Sequence, residues 1–173
     1  MKKLLVAVAA VLVSASAFAQ GQLNFNNRLT GVVDAPISRP DGTGAGAGVT
    51  AELVLVQGGS ETVLTPVTTF RTSSAAATFY VNPVDVIVPG VQAGQTATLK
   101  VRAYEGASYA TATLRGESAT FNLALGGTPP GGAPLTPPAL AGLQGFALQV
   151  VPEPSTIALG VLGAAALLLR RRK

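Results

Sequence analysis

Glycine and proline divide the middle of this chain into pieces too short for ordinary helices. Gly58-Gly59, Pro66, Pro83, Pro89-Gly90, Gly106 and Gly116 recur at roughly ten-residue spacing. A globular helix averages about 10–14 residues, whereas a strand needs only about five or six. The residues between the breaks have strand chemistry. Residues 49–57 are rich in β-branched side chains and bounded by Gly48 and Gly58-Gly59. Residues 96–104 alternate, which predicts Ala97, Leu99, Val101 and Ala103 facing inward and Thr98, Lys100 and Arg102 facing outward. Phe121, Leu123 and Leu125 alternate with polar or small neighbours, and Phe146, Leu148 and Val150 repeat the pattern. Shorter strands are expected at 22–26, 62–64, 67–70, 78–81, 84–88 and 110–114, and no helix is expected among them. Residues 91–95 read as a tight turn leading into a central strand. The fold class is therefore all-β, with a single β-sandwich body, Ig-like or jelly-roll-like.

The two ends have a different character. Lys2 and Lys3 precede an apolar run over residues 4–13, and Ala17-Phe18-Ala19 supplies small residues one apart. That is the layout of a secretory signal peptide cut after Ala19, leaving Gln20 as the new N-terminus. The apolar run is too short to span a bilayer comfortably. At the other end, residues 157–169 carry no charge and seven large aliphatic side chains, and Arg170, Arg171, Arg172 and Lys173 follow at once. Thirteen residues at about 1.5 Å each reach about 20 Å, against roughly 30 Å of hydrocarbon. Snorkelling arginines narrow that gap. The terminal cations fit a cytoplasmic membrane stop. Pro154 fixes its own φ and disfavours helix at Glu153, so a helix can begin only afterwards, with Ser155 or Thr156 as its cap.

These targeting ends hold half of the basic residues. The formal charge is +4, but residues 20–151 keep only Arg28, Arg39, Arg71, Lys100, Arg102 and Arg115 against Asp34, Asp41, Glu52, Glu61, Asp85, Glu105 and Glu117. The body's net charge of −1 offers no case for nucleic acid. An exported body without cysteine must rest on packing and strand pairing.

Val151-Pro152-Glu153-Pro154-Ser155-Thr156, the apolar run and the basic cluster together resemble the PEP-CTERM sorting signal of Gram-negative bacteria. The resemblance implies recognition by an exosortase, a membrane-embedded cysteine protease or transpeptidase that cuts near the Pro-Glu-Pro box. This chain would be its substrate, after passage through the secretion machinery. The resemblance also implies an inner-membrane-anchored precursor, later placed at the cell surface or outside the cell, in the setting of exopolysaccharide and biofilm.

The expected organisation is a signal peptide at 1–19, a sandwich at 20–125, a Pro/Gly-rich segment at 126–145, a last strand at 146–151 and the sorting signal at 152–173. Residues 126–145 hold Pro129, Pro130, Pro134, Pro137 and Pro138. Either the segment crosses the sandwich so that 146–150 can pair, or it is a stalk.

Catalytic and cofactor chemistry is sparse. Without His or Cys there is no Ser-His-Asp or Cys-His constellation and no His/Cys zinc site. Lys100 is the body's only lysine and reads as a solvated residue on a sheet face. The acids show no local pairing of the kind a carboxylate-pair hydrolase uses. The glycine-rich stretch 42–48 precedes a strand, which does not suit a dinucleotide loop. Asp34, Asp41, Asn24, Asn26 and Asn27 could offer oxygens to calcium, but their spacing fits no loop motif and turn formation is their commoner use. Tyr104 and Tyr109 are the aromatic residues to consider as sugar contacts in a carbohydrate-binding module. No cofactor or metal is expected.

Overall fold

The computed structural model describes residues 20–152 together with Gly160. The expected signal helix (1–19), residues 153–156 of the sorting box, the apolar segment and the basic cluster lie outside the described residues, apart from Gly160. The strands are β1 (Gln20–Phe25), β2 (Arg28–Leu29), β3 (Val33–Asp34), β4 (Ile37–Ser38), β5 (Val49–Gln57), β6 (Ser60–Thr69), β7 (Val84–Gln92), β8 (Thr96–Glu105), β9 (Leu114–Glu117), β10 (Phe121–Ala124), β11 (Phe146–Ala147) and β12 (Gln149–Val150).

The main sheet runs β12-β9-β8-β5-β6, with β10 also paired to β8. Its first hairpin follows from two adjacent glycines. Gly58 and Gly59 have φ of 58° and 83°, the left-handed values a two-residue hairpin turn needs, and Gln57 pairs with Ser60 across them. Strand β8 is central. One edge pairs with β5 from Val49↔Glu105 to Leu55↔Leu99. The other edge is shared, with β10 along Thr96 to Leu99 and β9 along Arg102 to Tyr104.

A second layer is built on β1 paired antiparallel to β7. The turn after β7, closed by a Gln95 N–H to Gln92 carbonyl bond of 3.1 Å, carries the chain from this layer into the main sheet. One hydrophobic core fills the space between. Leu23 and Phe25 come from β1, Val86 and Val88 from β7, and Leu53, Leu99, Val101 and Leu123 from the main sheet. The alternation expected at 97–103 is observed, since Ala97, Leu99, Val101 and Ala103 are all buried in this core.

Residues 126–145 lie along the edge of β1 that β7 leaves free. Gly126 and Gln22 exchange backbone bonds of 2.8 and 2.9 Å, and the Asn24 N–H donates to the Pro138 carbonyl at 2.8 Å. Gly126 is needed for this approach, because a Cβ there would lie 2.5 Å from the Thr136 carbonyl oxygen. Leu140 is fully buried and Leu143 nearly so. Beyond them, β11 pairs parallel with β4 and β12 antiparallel with β9, with buried Leu148 between.

Local differences from the sequence reading have physical causes. Residues 62–64 and 67–69 form one long strand, β6, because Pro66 falls in a register irregularity of an edge strand, between the pairs Leu53↔Leu64 and Ala51↔Thr68, where a missing N–H costs no ladder pair. The strand expected at 78–81 is instead a short 3₁₀ turn, Ala77–Phe79, followed by a bridge between Val81 and Phe70. Its backbone bonds are made locally, as in Ala77 N–H to the Ser74 carbonyl. Of residues 110–114 only Leu114 enters a strand.

Asn27 ties this irregular region together. It is fully buried, and its amide nitrogen donates to the carbonyls of Ala35 (2.8 Å) and Phe79 (3.3 Å). Its amide oxygen accepts the Val81 N–H at 2.9 Å. Replacing Asn27 by alanine strands two buried backbone groups and one part-buried carbonyl and is expected to lower the unfolding free energy by about 3 kcal/mol. Asn24→Ala, which loses only an exposed bond to Asp85, should cost under about 1 kcal/mol. Urea denaturation of both variants checks the difference.

Candidate functional site

Two places in the body concentrate chemistry: the outer face of the main sheet and the point at which the chain leaves it. On the outer face, pairing aligns Glu52 of β5, Arg102 of β8 and Glu117 of β9 across three adjacent strands. Arg102 Nε donates to Glu117 at 3.0 Å, a second guanidinium nitrogen contacts Glu61, and Glu52 lies 4.0 Å away. Lys100, two residues back on the same face, bridges Glu61 and Glu117, the latter at 3.0 Å. Glu61 reaches these cations from β6 across β5, and the outward-facing Val54 of β5 is fully buried. The expectation of a solvated Lys100 is thus corrected. It does point to the polar face, but its side chain is only 9% exposed because two carboxylates close over it.

The electrostatics follow from that geometry. Hydrogen bonds from Lys100, then from Arg102, hold the Glu61 carboxyl below its ordinary value. At Glu117 burial pushes upward, but the bonds from Lys100 and Arg102 outweigh it and the net shift is downward. Burial likewise works against the charge on Lys100 and Arg102, and the carboxylate bonds more than restore it. Glu52 is the exception. Its burial raises it more than Arg102 lowers it. Every carboxylate here faces a cation, so the cluster is a closed ionic network that braces β5, β6, β8 and β9.

The tyrosines belong to the rim of this network. Tyr104 is buried, and Tyr109 meets it edge-on at 6.2 Å. Arg102 and Arg115 lie 4.6 and 5.3 Å from the Tyr109 ring centre. Arg115 also donates to the carbonyls of Tyr109 and Ala110, both at 2.7 Å, which fixes the loop before β9. Neither ring stands out as a flat sugar platform.

The oxygens considered for calcium are dispersed. Asp34 accepts the Tyr80 hydroxyl at 2.7 Å, and Asp41 accepts the Thr43 hydroxyl and N–H within its own turn. The Thr43 hydroxyl bond, then the Thr43 N–H, lowers the Asp41 carboxyl. Asn26 accepts from the Arg28 N–H and from Arg71. Among the described residues no cluster of three acidic, His or Cys side chains could hold a metal.

The exit point is the second place. Val150 pairs with Leu114, and the Val151 N–H donates to the Thr113 carbonyl at 2.7 Å. Pro152 follows, exposed. At the other end of the body Gln20 lies in β1 opposite Gln92. Ala17, Ala19, Glu153, Pro154, Ser155, Thr156, Arg170, Arg171, Arg172 and Lys173 are outside the described residues. Among the described residues no helix is long and apolar enough to cross a membrane. Sequence reasoning missed the ionic network and the Asn27 knot. Outward alternation marked Lys100 and Arg102, but only strand pairing brings Glu61 and Glu117 to them.

Residues 150–173 match the family model of the PEP-CTERM protein-sorting motif. No curated protein and no solved structure matches the chain.

The pH dependence of stability follows from the shifted carboxyls. Glu61 and Glu117 are depressed from 4.5, so the stability they contribute is present above that value and is lost as pH falls through their lower folded values. Glu52 is raised and works in the opposite sense, but it is one group against two. The thermal midpoint is expected to fall between about pH 5 and about pH 2. In Lys100→Met that acid-side decline should be shallower, because the two carboxyls lose one of the two cations they share and keep only Arg102. Both carboxylates are partly exposed, so solvent screening keeps the effect modest. Calorimetry across this range checks the slope.

Proposed function

We propose that the PEP-CTERM protein-sorting motif carried at residues 150–173 makes this chain the substrate of an exosortase rather than an enzyme. Residues 1–19 direct the chain outward. The apolar segment and the cations Arg170, Arg171, Arg172 and Lys173 hold the precursor in the inner membrane. The enzyme then cuts near Pro152-Glu153-Pro154, and the body goes to the cell surface or the extracellular matrix as a non-catalytic β domain.

The observation that carries this reading is the motif match at the C-terminal side of a β body. Other features support it. The chain contains no His and no Cys, which removes the commonest nucleophile–base pairs. The acids of the outer sheet face are engaged by Lys100 and Arg102, and the two depressed carboxyls there are poor general acids at neutral pH. The body's small net charge gives no reason to expect a polyanionic partner.

Mass spectrometry of the exported protein tests the proposal. The expected product begins at Gln20 and lacks Arg170, Arg171, Arg172 and Lys173. Replacing Pro152, Glu153 and Pro154 together by alanine should leave the longer precursor in the inner membrane. A released protein that still ends in Lys173 would overturn the reading.

A further inference from the structure

The sorting motif and the folded body overlap. The motif match begins at residue 150, yet Val150 is paired to Leu114 in β12–β9 and the Val151 N–H is bonded to the Thr113 carbonyl. Proteins that read a peptide segment commonly do so along an extended backbone, by hydrogen bonds to its N–H and C=O groups. Here part of the motif's first backbone is already engaged by the body. A membrane-embedded enzyme that engages the whole motif must therefore compete with strand β9.

The hold is of a kind that can be released. β12 is two residues long and lies at the edge of the main sheet. Gln149 is exposed and Val150 is 68% exposed, so neither has a side chain buried in the core. Leu148, immediately before, is different. It is 1% exposed, and its N–H donates to the Ser38 carbonyl at 2.8 Å. Peeling thus costs a short ladder and stops at a residue anchored in the core. Short exposed edges of this kind open at far lower free energy than the whole fold.

We propose that β12 is a detachable clasp that positions the sorting motif: processing requires residues 149–151 to leave β9, with Leu148 as the fixed point. Thr113, Leu114 and Arg115 are then positioning residues for the cut, acting through the backbone they hold. This rests on the reading of the motif as a processing substrate. It also limits the enzyme's reach. Residues up to Leu148 stay in the body, and the cut falls on the C-terminal side of that residue.

A reversible lock tests it in the full-length chain. Arg115 and Gln149 are directly opposed, and the protein has no cysteine of its own. The double variant Arg115→Cys, Gln149→Cys can be oxidised to staple β12 to β9 or kept reduced with the same side chains, so loss of the Arg115 contacts is common to both forms. Membranes containing the sorting enzyme are supplied with each form, and the shortened product is followed by mass spectrometry. The oxidised form is expected to be processed about tenfold more slowly or worse, because the competent state is removed. Inserting Gly-Ser-Gly-Ser-Val-Val between Val151 and Pro152 of the oxidised form should restore processing, since it supplies a free copy of the motif's first two residues. Equal rates for the oxidised and reduced forms overturn the clasp alone. A wild-type chain that is never shortened overturns both the clasp and the processing reading.

Discussion

Strand β8 is the constraint on which the rest of the body depends. Its two edges are both occupied, by β5 on one side and by β10 and then β9 on the other. Its two faces are occupied as well. Ala97, Leu99, Val101 and Ala103 enter the core, while Lys100 and Arg102 anchor the ionic network on the outside. A strand separates these roles only because its side chains alternate with period two. A slip of one residue would place two cations in the core and leave four apolar side chains outside, a penalty no neighbouring strand could offset. The same alternation makes a nearly buried Lys100 tolerable. The charge is removed from water, but Glu61 and Glu117 replace the hydration it loses.

Stability without cysteine is distributed along the chain. The core includes Leu23 and Phe25 near its start and Leu140, Leu143 and Leu148 near its end. The proline- and glycine-rich stretch between β10 and β11 belongs to this arrangement, because it covers the edge of β1 and delivers the last three leucines. Covering that edge also removes a row of free backbone groups that would otherwise invite pairing with another chain. The edge of the main sheet at β6 is managed differently. Asn82 caps its C-terminal end, its N–H donating to the Thr69 carbonyl at 2.8 Å, and Pro66 breaks the regular strand geometry before it.

The end of the fold and the start of the sorting motif meet within a few residues. Leu148 still belongs to the core, Val150 belongs to both, and Pro152 is exposed. Completion of the body and presentation of the motif are therefore physically adjacent events. The chain has almost no spacer in which one could proceed without the other.

The all-β class, the inward positions of β8 and the PEP-CTERM motif were legible in the residues alone. Each rests on local information: punctuation by glycine and proline, two-residue alternation, or a contiguous motif. The break at Gly58-Gly59 was marked in the same way by its glycines, whereas the hairpin that joins β5 to β6 across it came from the structure. The ionic network was not legible, because Glu61, Lys100 and Glu117 meet only after β6, β5, β8 and β9 take their register. Nor was the knot at Asn27, whose amide joins Ala35 to Phe79 and Val81 across some fifty residues. The 3₁₀ turn at Ala77–Phe79 escaped for a related reason, since three residues are too few to show any period. A single strand reveals which way its side chains point, but only the folded sheet decides which distant groups stand opposite them.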